Sequence, residues 1–160
     1  MPVYQRETFV RAPFETVWDF HSHVSGLTAL TPDWMNLRIE KVVGPDGEEE
    51  PDELEAGAEI HMTMRPFDVG PRQEWTSVIT DRREDEHAGY FRDEMRGGPF
   101  REWVHTHSFY EDDGGTRIED RVEYRLPGDG VGDLVGPLAW VGFEPMFRGR
   151  HRATKRLLEN

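Results

Sequence analysis

The chain has 160 residues, with 32 acidic against 19 basic side chains, a formal charge of -13 and no cysteine. That length suits one domain over residues 1–160 that buries roughly two thirds of its unfolded surface. Disulfides and thiolate metal sites are excluded, nucleic acid and anionic membranes are poor partners for such an acidic surface, and no apolar run is long enough for membrane insertion.

In chain order, Val3 to Val10 alternates weakly and stops at Ala12-Pro13, the pattern of a first strand. Pro13 suits the start of a short helix up to His23 whose apolar face is Phe14, Val17, Trp18 and His21, and a second short helix is expected from about Ser25 to Leu30. Leu37 to Val43 reads as a strand. The segment GPDGEEEPDELEAG (44–57) follows it, with seven acids in fourteen residues, as a solvated loop. Three further strands are predicted near Ala58–Arg65, Arg72–Thr80 and Ala88–Met95, with a turn at Asp81 to Glu86. The tail from Asp133 to Leu158 carries Leu134, Val135, Leu138, Val141, Met146, Phe147, Leu157 and Leu158 at roughly helical spacing, and a kink is expected at Pro145.

Between the strands and the tail lies the most informative stretch, Phe100 to Pro127, which reads as a β-hairpin. Alternation puts Trp103, His105, His107 and Phe109 on one face, and Ile118, Asp120, Val122, Tyr124 and Leu126 on one face of the return strand. A two-residue turn at Asp113-Gly114, whose residues both tolerate positive φ, sets His107 directly opposite Asp120 on the apolar side. Two ionisable groups buried there cost several kcal/mol unless paired.

The order of elements predicts a curved antiparallel sheet of about seven strands wrapped around a long C-terminal helix, with two short helices after strand 1, an α+β arrangement. At this point the sequence resembles the START-like or SRPBCC superfamily of helix-grip proteins, which includes polyketide cyclases and dehydratases. The resemblance rests on Phe9 to His21 (FVRAPFETVWDFH), Phe91-Arg92-Asp93, Gly98-Pro99-Phe100, Trp103-x-His105-x-His107-x-Phe109, and Met146-Phe147 followed by Arg150-His151. It implies a ligand cavity between sheet and helix.

Two functions compete for that cavity. In the first, a small hydrophobic or aromatic molecule (polyketide, isoprenoid or lipid-like) is bound. Trp18, His21, Trp75, Asp93, Trp103, His105, Tyr124 and Phe147 are then the candidate binding residues. In the second, a cyclase or dehydratase uses His107 as general base, Asp120 as its orienter, and Tyr124 or His105 as donor to an enolate. His105 and His107 also point the same way, as metal ligands would, with a third ligand from His21, His151, Asp93 or Asp120. No metal-binding motif accompanies them, so neither metal nor cofactor is expected. A third possibility is a protein partner for the acidic loop.

The bases are 17 arginines against two lysines, Lys41 and Lys155, and the opening MPVYQRETFV has no apolar signal core. A cytoplasmic protein adapted to high salt is expected, because at molar salt the Debye length falls to about 3 Å and screens the self-repulsion of this surface. Thermal unfolding should therefore shift upward from dilute buffer to molar potassium chloride; a melting temperature indifferent to salt would remove the halophilic reading.

Overall fold

The computed structural model describes residues 1–128, 130–131 and 140–159. Seven strands form one antiparallel sheet: β1 (Val3–Val10), β2 (Arg38–Val43), β3 (Glu59–Met64), β4 (Gln73–Glu84), β5 (Ala88–Gly97), β6 (Glu102–Asp112) and β7 (Gly115–Arg125). Their order across the sheet is β1-β7-β6-β5-β4-β3-β2, so the first two strands in sequence are the two edges. The helices α1 (Phe14–His21) and α2 (Val24–Leu30) carry the chain from one edge to the other. The C-terminal helix, α3 (Trp140–Leu158), runs unbroken through Pro145. Leu134, Val135, Pro137 and Leu138 of the expected tail helix lie outside the described residues.

Every predicted strand is present, and the chain has the helix-grip α+β fold. The largest boundary difference is in β4. The expected turn at Asp81 to Glu86 is mostly strand, because the register of β4 on β5 slips between Ile79 and Asp81 and pairing then resumes to Glu84 opposite Gly89. The bulge at Thr80 takes up one residue, so a charged segment that alternation reads as turn continues the ladder.

The core falls into three apolar clusters. One joins α1 to the sheet through Val10, Phe14, Val17, Trp18, Phe109 and Ile118. A second gathers Val42, Leu54, Ile60, Met62 and Ile79 under β2 to β4. The third packs Tyr4, Val122 and Tyr124 against Phe143 and Phe147 of α3. Phe143, Phe147 and His151 repeat every four residues, the spacing of one helix face, and all three are buried. The same helix is tied to edge strand β1 by Glu144, which accepts from Tyr4 Oη at 2.6 Å and pairs with Arg6. Part of the acidic loop is also anchored: the backbone N–H of Leu54 donates to Ser22, and Arg82 donates to the Leu54 carbonyl and pairs with Glu53.

The contact between α1 and the sheet requires a glycine. A Cβ on Gly89 would stand 2.8 Å from Trp18 Cζ3, while the Trp18 ring is held by Phe14 and Phe109 and covered by the Arg82 guanidinium at 5.2 Å. Gly89→Ala should cost about 1–3 kcal/mol as an overpacked core position. The expected readout is a lower urea midpoint at unchanged slope; an unmoved midpoint would mean that α1 shifts freely.

Candidate functional site

Asp112 and Gly115 pair across the turn Asp113-Gly114, with Gly114 at φ +83°, and this places His107 opposite Asp120. On the other side of β6, β5 sets Phe91 opposite His107 and Asp93 opposite His105. Two adjacent inward positions of β6 are thus flanked by a carboxylate from each neighbouring strand.

Asp120 is the hub. Its Oδ1 accepts from His105 Nε2 at 2.8 Å and lies 2.9 Å from His107 Nδ1, while its Oδ2 accepts from His151 Nε2 of α3 at 2.5 Å. Asp93 Oδ2 lies 3.2 Å from His107 Nε2, and Asp93 Oδ1 accepts from Ser77 Oγ of β4 at 3.2 Å. His107 therefore has a carboxylate at each ring nitrogen. His151 has one at Nε2 only, and its Nδ1 is buried without a partner among the described residues. Asp120, His105, His107 and His151 are 3, 6, 6 and 4% exposed, so this network is shielded from solvent.

Electrostatics follow from that burial. Desolvation raises the Asp120 carboxyl, but hydrogen bonds from three histidines outweigh it and hold the group well below the usual carboxylate range. Asp93 is lowered in the same way, its burial overcome by His107 and His105. Burial disfavours the charged form of His107, yet the carboxylates on both sides win and raise it. His105 is lowered, first by burial and then by the positive charge of His107. Burial also lowers the Arg150 guanidinium, against the pull of Asp120 and Asp93.

Aromatic rings enclose the network. Phe91 stacks on His107 at 4.3 Å between ring centres, Phe147 meets His105 edge-on at 5.1 Å, and Trp103 stands edge-on to His105 at 6.2 Å. At this point α3 rests directly on the sheet, with Phe147 and His151 against the histidines of β6 and the carboxylate of β7.

Of the residues singled out from sequence, the structure brings together His105, His107, Asp93, Asp120, Trp103 and Phe147. His21 stands beside them against Phe109, at 4.8 Å, with its Nδ1 donating to the Val17 carbonyl at 2.8 Å. Three lie apart. Tyr124 packs on Phe143 and Phe100, Trp75 packs in the cluster under β2 to β4, and Trp18 floors a surface groove shared with Glu15, Asp19, Ser22 and Arg82. The sequence by itself assigns Ser77 no role beyond its strand, and points to His151 only through the family resemblance and as a conceivable metal ligand. The available signal for His151 was its position four residues after Phe147, on the face that α3 turns to the sheet.

Residues 10–154 match the family described as polyketide cyclase / dehydrase and lipid transport. The chain belongs to that family. No curated protein matches the sequence. Among solved structures it is similar to truncated norcoclaurine synthase from Thalictrum flavum, with a TM-score of 0.65 at 21% identity over 99% of this chain and 94% of that one. TTHA0849 from Thermus thermophilus gives a TM-score of 0.65 at 18% identity over 98% and 99% of the two chains. A protein from Arthrobacter aurescens gives 0.68 at 15% identity over 98% and 85%. At these identities the likeness is one of fold. No helix among the described residues of this family member is long and apolar enough to cross a membrane.

The electrostatics yield one pH dependence. Burial, with the positive charge of Arg150 and the neighbouring His107, lowers His21 from 6.5 to about 4, against opposing contributions from Val17 and Asp120. Between those two values the unfolded chain binds the proton that the folded chain refuses, so stability is complete above the upper value and declines as pH falls towards the lower one. His21→Gln should flatten this slope in chemical unfolding measured across the window. An unchanged slope would assign the acid sensitivity to other groups.

Proposed function

We propose that the protein binds a small hydrophobic or aromatic molecule of polyketide, isoprenoid or lipid-like type between the sheet and α3. The observation that carries this reading is the buried polar network of Asp93, His105, His107, Asp120 and His151 set among Phe91, Trp103 and Phe147. A sheet-to-helix contact needs no such network for stability, since well-packed apolar residues of similar volume often serve as well or better than buried ion pairs. Binding sites for small molecules, in contrast, combine apolar walls with a few fixed polar anchors. Membership of a family described by cyclase, dehydrase and lipid-transport activities supports the same class of ligand.

A catalytic reading is favoured by one specific feature. A general base needs one imidazole nitrogen held by a carboxylate and the other available to a substrate proton. At His107 both nitrogens face carboxylates, whereas His151 is oriented by Asp120 through Nε2 and leaves Nδ1 unpartnered among the described residues. In a cyclase or dehydratase His151 would then take a proton next to a carbonyl, with Asp120 stabilising the imidazolium. The likeness in fold to a protein named norcoclaurine synthase is compatible with a synthase but carries no residue role.

Native mass spectrometry of protein from its own host should reveal a co-purifying organic molecule. Tryptophan fluorescence should then report its rebinding. If it is merely carried, His151→Gln retains binding and no product forms with any variant; if it is turned over, His151→Gln retains binding and abolishes product. Protein that purifies bare and binds no polyketide-like, isoprenoid or acyl probe would refute both.

A further inference from the structure

Alternation along β6 aims His105 and His107 in one direction, and the flanking strands deliver Asp93 opposite the first and Asp120 opposite the second. The two carboxylates play different parts. A single oxygen, Asp120 Oδ1, lies 2.8 Å from His105 Nε2 and 2.9 Å from His107 Nδ1. A carboxylate accepts there, so His105 carries its proton on Nε2; with the proton of a neutral His107 on Nδ1, facing the same oxygen, the other nitrogen of each ring presents a lone pair. Those other nitrogens, His105 Nδ1 and His107 Nε2, face one and the same oxygen, Asp93 Oδ2, at 3.9 and 3.2 Å. Three electron-rich atoms converge in a place largely closed to water. A proton on His107 Nε2 bridges only one of these contacts, because 3.9 Å is beyond hydrogen-bond reach for His105 Nδ1.

The geometry points to a divalent transition-metal site formed by Asp93 Oδ2, His105 Nδ1 and His107 Nε2, with Asp120 holding both histidines from behind. One ligand atom from each of the three residues lies within 4.8 Å of the others. Metal bonds of about 2.0–2.1 Å would set neighbouring ligand atoms roughly 3.0–3.4 Å apart, the spacing at which His107 Nε2 already stands from Asp93 Oδ2 and to which His105 Nδ1 would have to close. Metal-bound histidines characteristically donate their second nitrogen to a carboxylate, and here one carboxylate serves both rings. The third ligand is oriented too, since Ser77 Oγ donates to Asp93 Oδ1 and leaves Oδ2 turned to the histidines. Two imidazoles and one carboxylate suit zinc or ferrous ion over calcium or magnesium, which prefer all-oxygen shells. Three protein ligands leave a coordination position for water or for an oxygen of a bound molecule. This site goes beyond the binding of an organic ligand and does not depend on it.

The test uses the whole chain, stripped with a chelator and titrated with cobalt(II), followed by absorption, and with zinc, followed by calorimetry. One equivalent should bind to the wild type and equally to His87→Gln, a control at an exposed histidine that pairs with Glu111. Asp93→Asn and His105→Gln should lose that equivalent, and Asp120→Asn should weaken it roughly 10–100-fold through the outer carboxylate. X-ray absorption of the zinc-loaded wild type requires no variant to fold, and should show two imidazoles with at least one oxygen. The site is overturned by a wild type that binds no metal saturably, by a zinc shell with fewer than two imidazoles, or by an equivalent that survives Asp93→Asn and disappears in His87→Gln.

Discussion

The carboxylate of Asp120 is the constraint on which the rest of the molecule is arranged. It receives two histidines from the strand beside it and one from the C-terminal helix. Sheet and helix therefore meet at a point as well as over an apolar surface. Apolar packing alone permits a helix to slide or rotate by small amounts with little loss, whereas a buried hydrogen bond to an ionised group does not. The same carboxylate enforces the pairing of β6 with β7, because a slip of β7 by one residue would turn Asp120 to the face opposite the inward histidines of β6. Its own ionisation is sustained by those partners, which overcome the desolvation of burial.

Around that point the core is divided in three. The apolar clusters near α1, under β2 to β4, and beneath α3 are separate groups of residues, and the network touches two of them through Phe91 and Phe147. It reaches towards the remaining one through Asp93, which pairs in register with Ile79 and accepts from Ser77. A sheet of seven strands offers enough inner surface for such a division, so a polar floor is accommodated among the apolar clusters. The fold is shared with proteins that differ widely in sequence, and function is therefore carried by the side chains placed on this floor rather than by the architecture.

Much of this floor is legible in the amino-acid sequence. The two turn residues Asp113-Gly114 dictate which residues of β6 and β7 face one another, and period-two alternation assigns His105, His107 and Asp120 to the inner side. Asp93 required a further condition, that β5 align Phe91 and Asp93 inward, and the register meets it. Tyr124 shares the inner face with Asp120 but lies four residues along β7, far enough for Phe143 and Phe100 to become its neighbours. Trp75 illustrates the same limit: an aromatic residue on the right kind of strand belongs to a different cluster because its strand is nearer the far edge.

What the amino-acid sequence determined by itself is local and periodic: the strands of the sheet, the two short helices after β1, the C-terminal helix, the antiparallel order of hairpin neighbours, and the meeting of His107 with Asp120. Those follow from turn chemistry and side-chain alternation, which act over a few residues. Only the tertiary structure decided that Asp120 binds three histidines, that Ser77 orients Asp93, and that His151 arrives from a helix 31 residues further along the chain. The physical reason is that the position of α3 on the sheet is fixed by packing of Phe143 and Phe147 against Tyr4 and Val122 and by the Glu144 contacts with β1. No periodicity in the helix specifies where along the sheet it comes to rest.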